Sequence, residues 1–287
     1  MPSLGPPKIF DRALIARHLA RRPADRDDFI TPMVLADLDE RLATVTRDFE
    51  QALILAPDAG PLPTGGRTAN GAFSYERAAT TVASGGVPLL DPEALDLPRR
   101  GYDLIVSIFD LDVVDDVPGF LSRVRAHLRA DGLFLAAAIG GDSLTELREA
   151  FLGAEAELSG GASLRVAPFI PLSDAAGLLQ RAGFALPVSD VETHIVRYAT
   201  PLALMRELKA LGASNPLLEK PGRMATPRLI EAASAAYERL AADPDGRVRA
   251  TLEIVWLSGW APHESQQKPL RPGSAEVSLT KVLKTRN

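Results

Sequence analysis

The segment Asp91–Ala138 constrains the fold of this chain most strongly, because it holds two apolar strands joined through one helix. The strands are predicted over Asp103–Phe109 and Leu133–Ala138, and the helix over about Pro118–Arg129. Two buried strands connected through a helix form a parallel crossover, the repeating unit of an α/β sheet. Such sheets bind ligands at the carboxyl ends of their central strands. The loops that follow these strands are therefore the first place to look for a site.

The other elements follow from apolar periodicity, prolines and turn residues. Helices are predicted over Phe10–Arg22, Phe29–Phe49, Ser143–Leu158, Ser173–Ala182, Pro201–Leu211 and Pro227–Ala242. Strands are predicted over Ala52–Ala56, Thr80–Ser84, Val87–Leu90, Val191–Tyr198 and Arg247–Trp256. Ser143 and Glu146 are spaced as a capping box, in which the serine caps the helix and the glutamate reaches back. The pattern predicts a Rossmann-like α/β fold with a mostly parallel seven-stranded sheet, its last strand antiparallel, and extra N-terminal and late helices.

Three segments are expected along the chain. Residues 1–50 form an N-terminal helical lead-in, residues 51–262 form the α/β domain with a helical insertion at about 201–242, and residues 263–287 form a polar tail. The lead-in carries Arg17, Arg21, Arg22 and Arg26 among Asp25, Asp27 and Asp28. We interpret this cluster as a solvated helix face, with a docking surface as the alternative.

Composition narrows the function. Hydrophobic residues make up 46% of the 287 and charged residues 24%, so the chain can bury a full core. A net charge of −5 argues against nucleic acid as the partner. There is no cysteine, which excludes disulfides, thiolate nucleophiles and zinc-cysteine sites. The four histidines show no metal-ligand spacing, so no metal is expected.

Membrane and export signals are not expected either. The sequence contains no apolar run long enough to span a membrane, and its first residues lack a basic segment followed by an apolar one. The expected compartment is therefore the bacterial cytoplasm.

Several longer motifs together identify a family resemblance. They are FDRAL (10–14), YDLIVS (102–107) followed by DDVPG (115–119), DGLFLAA (131–137), GGDSLTELREA (140–150), LLQRAGFALP (178–187) and WAPHESQQKPLRPGSA (260–275). The chain resembles class I S-adenosylmethionine (SAM)-dependent methyltransferases. Within them it is similar to the methyltransferase-like family of mitochondria and alphaproteobacteria that assists respiratory complex I assembly, relatives of the malonyl-carrier-protein methyltransferase of biotin synthesis. For the mitochondrial member, the resemblance implies hydroxylation of an arginine on an iron–sulfur subunit.

The resemblance implies SAM as cofactor and locates its site. The family's glycine-rich loop after the first strand corresponds to Ile54, Ala56, Asp58 and Gly60, so only the last glycine remains. The position of the ribose-binding acid corresponds to Ser84 or Gly85, and Asp91 is where the adenine amino group would bind. Cofactor contacts are therefore expected at Gly60, Ser84, Asp91, Pro92, Glu93, Ser107 and Phe109. A helix-capping turn with two solvated acids is the alternative for the segment 91–93.

The departures from the family leave two functions open. Besides the glycines, the family's His-Trp pair after the fourth strand is replaced by Asp112 and Val113. One function is a SAM-dependent methyltransferase-like enzyme that acts on a protein substrate, a complex I subunit. The other is a non-catalytic assembly or binding protein that has kept the fold and lost SAM. No residue is assigned a catalytic role.

Overall fold

A single seven-stranded sheet organises the chain. The structure is a computed structural model that describes residues 7–219 and 225–267. Its strands are β1 (Ala52–Asp58), β2 (Gly65–Arg67), β3 (Ala72–Val82), β4 (Tyr102–Ile108), β5 (Leu128–Ile139), β6 (Ala185–Tyr198) and β7 (Val248–Trp260). They lie in the order β2-β3-β1-β4-β5-β7-β6.

Most strands of this sheet run in one direction. β1 pairs parallel with both β3 and β4, and β4 pairs parallel with β5. The last strand, β7, pairs antiparallel with β5 and with β6, so β6 shares the direction of β5. The predicted Rossmann-like methyltransferase fold with an antiparallel last strand is confirmed.

Seven helices occur in the described parts of the chain. They are α1 (Arg12–Ala20), α2 (Ile30–Ala43), α3 (Val117–His127), α4 (Thr145–Ser159), α5 (Leu172–Arg181), α6 (Pro201–Ala210) and α7 (Pro227–Ala241). Short 3-10 turns span Pro92–Ala94 and Asp110–Asp112.

The helices cover both faces of the sheet and one end of it. On one face, buried side chains of α3 and α5 pack on the sheet, and on the other the buried row Val34, Leu38 and Leu42 of α2 does so. This four-residue spacing is the apolar stripe that produced the helix prediction. A third cluster joins α4, α6 and α7 over the start of β7. The late helices therefore form a wall beside the sheet.

The first half of the sheet differs most from the prediction. Residues 59–71 contain only the short strand β2 and no helix, so β1 and β3 are not joined by a helical crossover. β3 begins eight residues before the predicted Thr80, because β1 and β2 offer it pairing partners on both sides. The predicted strand Val87–Leu90 is reduced to a single bridge between Leu89 and Ala79. Similarly, α2 ends at Ala43 and not at Phe49, whose ring packs edge-on against Phe73.

The predicted capping box is wrong. α4 begins after Leu144, which has a left-handed φ of 55° and no side-chain cap. Ser143 is fully buried and exchanges hydrogen bonds with the backbone of Glu253, while the Glu146 carboxylate accepts from the N–H and the hydroxyl of Thr251. Both side chains form hydrogen bonds with backbone groups of the neighbouring strand β7, which would otherwise be buried without partners.

The expected domain boundaries stay a prediction. α1 and α2 fall inside the predicted lead-in, and α6 and α7 fall inside the predicted insertion. Residues 268–287 of the predicted polar tail lie outside the described residues.

Candidate functional site

A cavity of about 950 Å³ opens where β1 and β4 end. Its floor is formed by Ala56–Asp58 of β1, by Ile108 at the end of β4, and by Phe109 and Asp112 just after it. The strand order reverses at this point of the sheet, and open α/β sheets bind ligands where the order reverses. The cavity thus opens at the carboxyl ends of central strands, the end of the sheet at which the sequence pattern predicts a ligand site.

The walls of the cavity are mostly apolar. α1 covers one side, and α4 and α6 form the other; their side chains include Leu14, Ile15, Leu19, Leu147, Phe151 and Met205. Arg165 adds a polar group whose position is fixed, because its guanidinium pairs with the buried Glu155 at 2.7 Å. A concave apolar surface with a few oriented polar groups is typical of ligand pockets.

Asp58, at the tip of β1, organises the loop where the glycine-rich motif would lie. Its carboxylate accepts the N–H of Gly60 at 2.9 Å and the hydroxyl of Ser84 at 2.7 Å, and it forms an ion pair with Arg22. Burial raises the pKa of Asp58, but these three partners outweigh it, so the pKa lies below its ordinary value. The Asp58 carboxylate thus brings the predicted site residues Gly60 and Ser84 together.

A second carboxylate, Asp110, is completely buried behind the tip of β4. It accepts hydrogen bonds from the hydroxyls of Ser107 at 2.7 Å and Thr80 at 2.5 Å. Burial raises the pKa of Asp110 to about 7. The two hydrogen bonds and the charge of Arg12 act in the opposite direction but do not outweigh burial. Arg12 of α1 also donates to the carbonyl of Thr80 at 2.8 Å. The predicted site residue Ser107 therefore supports the strand tip from behind, outside the cavity lining.

Phe109 is the member of the predicted set that lines the cavity. Its backbone has a left-handed φ of 64°, which is uncommon for a residue with a side chain. Beyond it, Asp112 reaches the cavity wall and accepts the N–H of Ile139 with both oxygens, at 3.0 and 3.2 Å. Burial raises the pKa of Asp112 well above its ordinary value, and the like charge of Asp110 raises it further. The hydrogen bond from Ile139 lowers the pKa but does not outweigh them.

The segment Asp91–Glu93 lies outside the cavity lining and forms a turn. Asp91 is exposed and caps the 3-10 turn by accepting the N–H of Glu93 at 3.0 Å, while Pro92 is buried. The Glu93 carboxylate accepts the N–H groups of Asp115 at 2.6 Å and Asp116 at 3.2 Å, before α3. In the structure this segment thus has the geometry of the alternative interpretation, a capping turn, although Glu93 bonds to the protein backbone. Its role in cofactor binding stays a prediction.

A smaller hollow of about 480 Å³ opens at the opposite end of the sheet, beside Arg47, Asp131 and Trp260. Arg47 forms an ion pair with Asp131 at 2.5 Å and lies 5.5 Å from the centre of the Trp260 ring. Since Asp131 belongs to the amino end of β5, this hollow is on the side of the sheet that open α/β folds do not use for ligands. We therefore take the larger cavity as the candidate site.

The most informative comparison is with human mitochondrial arginine-hydroxylase NDUFAF5. It is 32% identical to this chain over 292 residues, which cover 97% of this chain and 84% of the human protein. This chain belongs to the arginine-hydroxylase NDUFAF5 family. The resemblance predicted from the motifs is therefore confirmed.

Other members of the NDUFAF5 family match over shorter stretches. The Dictyostelium discoideum protein is 38% identical over 194 residues, 67% of this chain and 44% of the relative. The match to the Danio rerio protein likewise spans 61% of that relative, less than two thirds of its length. Malonyl-[acyl-carrier protein] O-methyltransferase of Laribacter hongkongensis is 37% identical over 64% of this chain and 59% of its own length. No model of a known protein family matches the chain.

Solved structures give a weaker likeness. A putative methyltransferase from Bacillus halodurans has a TM-score of 0.48 and 12% identity, covering 80% of this chain and 99% of that chain. This likeness is too weak to carry an argument about function. Within the described residues, no helix is long and apolar enough to cross a membrane, and no group of three or more His, Asp or Glu side chains is arranged to hold a metal ion.

The residues at the strand tips do not fit SAM bound as the family resemblance implies. Asp58 stands where the family resemblance implies a glycine, and its carboxylate is already bonded to Gly60, Ser84 and Arg22. At the ribose position, Ser84 supplies a hydroxyl already donated to Asp58. Residues 59–71 contain no helix, so no helix N-terminus supplies free N–H groups to an anion after β1. These strand tips therefore differ from the SAM site that the family resemblance implies in the loop, the ribose position and the missing helix after β1.

Four residues of the site are absent from the predicted cofactor contacts. Asp110 and Asp112 directly follow a buried strand, and polar residues there are a recognisable signal. Arg12 and Arg22 show no comparable signal in the sequence. Arg22 in particular looked like part of a solvated helix face, since its partner Asp58 lies 36 residues away in the chain.

Proposed function

We propose that this protein is a methyltransferase-fold factor that acts on a protein substrate during assembly of respiratory complex I, holding a segment of that substrate in the cavity at the tips of β1 and β4. Membership of the NDUFAF5 family supports the process. The observation that carries the proposal is the cavity itself: it is wide and apolar, although the cofactor loop beside it is filled by Asp58 and Arg22.

The shape and charge of the site support a protein segment as ligand. The apolar walls suit aliphatic or aromatic side chains, whose burial contributes about 25 cal/mol per Å² of apolar surface. The net charge of −5 is unfavourable for a nucleic-acid backbone. The expected cytoplasmic compartment and the complex I subunit as partner stay predictions.

Enzymatic modification of the bound segment is a second candidate function, and Asp112 favours it. This carboxylate lies at the cavity wall and has a strongly raised pKa, a combination that marks candidate acid or base groups. Binding without modification is the alternative, and the Arg22–Asp58 ion pair in the loop after β1 supports it.

Gene deletion with complementation tests the proposed function. Deleting the gene in its native host should lower NADH dehydrogenase activity of the membranes, and the wild-type gene should restore it. Ala213→Trp at the exposed rim of the cavity should not restore it, whereas the matched substitution Ala156→Trp on the exposed face of α4 should. An unchanged NADH dehydrogenase rate after deletion would refute the proposal.

Mass spectrometry separates the two functions. If the protein modifies its substrate, peptides of complex I subunits should lose a modification in the deletion strain, and Asp112→Asn should reproduce that loss at normal protein levels. If complex I fails to assemble but no modification differs, the protein acts by binding.

A further inference from the structure

β6 is a long strand with one unpaired edge. It spans Ala185–Tyr198 and stands last in the sheet, beside β7. Not one of its 14 residues is buried, and Leu186, Val188 and Ile195 are 49%, 56% and 54% exposed. A strand of this length usually ends a sheet only if a device blocks further pairing.

The register of β7 shows which backbone groups of β6 point outward. The Gly140 N–H donates to the Glu253 carbonyl and the Ala261 N–H donates to the Gly132 carbonyl, each at 2.8 Å. Odd-numbered residues of β7 therefore direct their backbone toward β5, and even-numbered ones toward β6. Because Val188 pairs with Ser258 and the register then continues unbroken, the even-numbered residues of β6 complete that ladder.

The odd-numbered residues of β6 consequently direct their N–H and C=O groups away from the sheet. They are Ser189, Val191, Thr193, Ile195 and Arg197. No residue of the described chain forms a hydrogen bond with these outward backbone groups. Val, Thr and Ile in the middle of this row are strong strand formers, so the edge is well suited to accept another strand.

The usual protections are missing along this row. Pro187, which cannot donate to a ladder, lies just before it, beside a shift in register. The negative charges Asp190 and Glu192 lie on the even-numbered positions and share Arg41, which donates to Asp190 at 2.7 and 2.9 Å and to Glu192 at 3.4 Å. The edge is thus blocked at one end and open over Ser189–Arg197.

We infer that two copies of this chain pair through their β6 edges, antiparallel, around a two-fold axis at Thr193. In that register Val191 faces Ile195 of the second copy, so two apolar side chains meet. Glu192 faces His194 of the second copy, and Ser189 faces Arg197 of the second copy. Every outward N–H and C=O of both rows then has a partner, giving about ten main-chain hydrogen bonds.

The same register also accounts for an exposed apolar side chain outside the row. Val188 comes to face Tyr198 of the second copy, and β-branched or aliphatic residues opposite aromatic ones stabilise antiparallel pairs. The pairing ends before Pro187 becomes part of the ladder. A two-fold interface of this kind is self-complementary and closes at two subunits. The second copy fits this edge because the row supplies its own matching partners.

Cysteine cross-linking tests the register, since the natural chain has no cysteine. In Thr193→Cys the two Cα atoms across the axis would be about 5.5 Å apart, within disulfide range. Mild oxidation should therefore give a covalent dimer in high yield. The matched control is Ala199→Cys, at an exposed position just after β6. Its two cysteines would be roughly 40 Å apart, about twelve strand residues at ~3.3 Å each, and should stay unlinked.

Light scattering after size exclusion tests the assembly itself. The wild-type protein should elute at twice the 30.7 kDa of one chain, and Thr193→Val should do the same. Thr193→Pro removes an outward donor that β7 does not use, so it should give a monomer with an unchanged circular dichroism spectrum. A monomeric wild-type protein, a dimeric Thr193→Pro, or equal cross-linking of both cysteine variants would overturn the inference. If Thr193→Pro fails to fold, the cysteine pair still decides.

Discussion

Arg22, just after α1, forms an ion pair with Asp58 at the tip of β1, inside the loop that would hold the methionine end of a cofactor. Both side chains are largely buried, 12% and 16% exposed. One substitution in the glycine-rich loop has thus been matched by a partner from the N-terminal helical lead-in. The lead-in is therefore part of the site, because it supplies the positive charge that pairs with the loop after β1.

Arg22→Ala should destabilise the protein. The change leaves the Asp58 carboxylate half-buried with only Gly60 and Ser84 as partners, and breaking a buried pair on one side is costly. We expect a loss of about 2 kcal/mol in the free energy of unfolding, below the range for fully buried pairs. Urea unfolding measures it, with the exposed Arg21→Ala as control.

The same pair has a defined pH dependence. The pKa of Asp58 is lowered in the folded state, so its stabilising contribution is present above the unfolded pKa of about 3.9 and is lost as the pH falls through the folded value. The wild-type advantage over Arg22→Ala should therefore shrink in acid. An advantage that grows as the pH falls would show that the ion pair is not its source.

The sequence predicted the second half of the fold better than the first, for a physical reason. Helix α3 and strands β4 and β5 can be predicted from local apolar runs and an Asp-Gly turn, which lie within or beside these elements. β3 and the bridge at Leu89 depend on pairing with β1, which no local pattern records. Ser143 and Glu146 fit a local cap but bond to the distant strand β7. Strand order predicts a site at this end of the sheet, but the Arg22–Asp58 ion pair joins residues 36 apart, which no local pattern records.

Asp110→Asn should flatten the dependence of stability on pH. Burial raises the pKa of Asp110 to about 7, above its unfolded value, so its contribution is fully present at low pH and is lost as the pH rises toward 7. A folded pKa that differs from the unfolded pKa by one pH unit changes the free energy of unfolding by about 1.4 kcal/mol. Melting temperatures between about pH 4 and pH 7 should therefore fall less steeply for the variant than for the wild-type protein.

The exposed Asp142→Asn serves as the control for that experiment, since it removes an acid that is not enclosed. It should leave the slope unchanged. Equal slopes for wild type and Asp110→Asn would mean that Asp110 is ionised in the folded protein throughout this range.

Phe109→Gly should be more stable than Phe109→Ala. Both remove the ring from the cavity floor, but the residue has a left-handed φ of 64°, which glycine adopts without strain and alanine does not. The expected difference is about 1 kcal/mol in favour of glycine, the reverse of the usual order in regular structure. Urea midpoints of the two variants measure it, and a more stable alanine variant would show that the backbone there relaxes freely.

Isothermal titration of the purified protein with SAM and with its demethylated product tests the central claim most directly. If Asp58 and Arg22 have replaced the methionine seat, neither compound should release or absorb binding heat up to millimolar concentration, and neither should raise the melting temperature. Saturable one-to-one binding of SAM in the micromolar range would contradict the account.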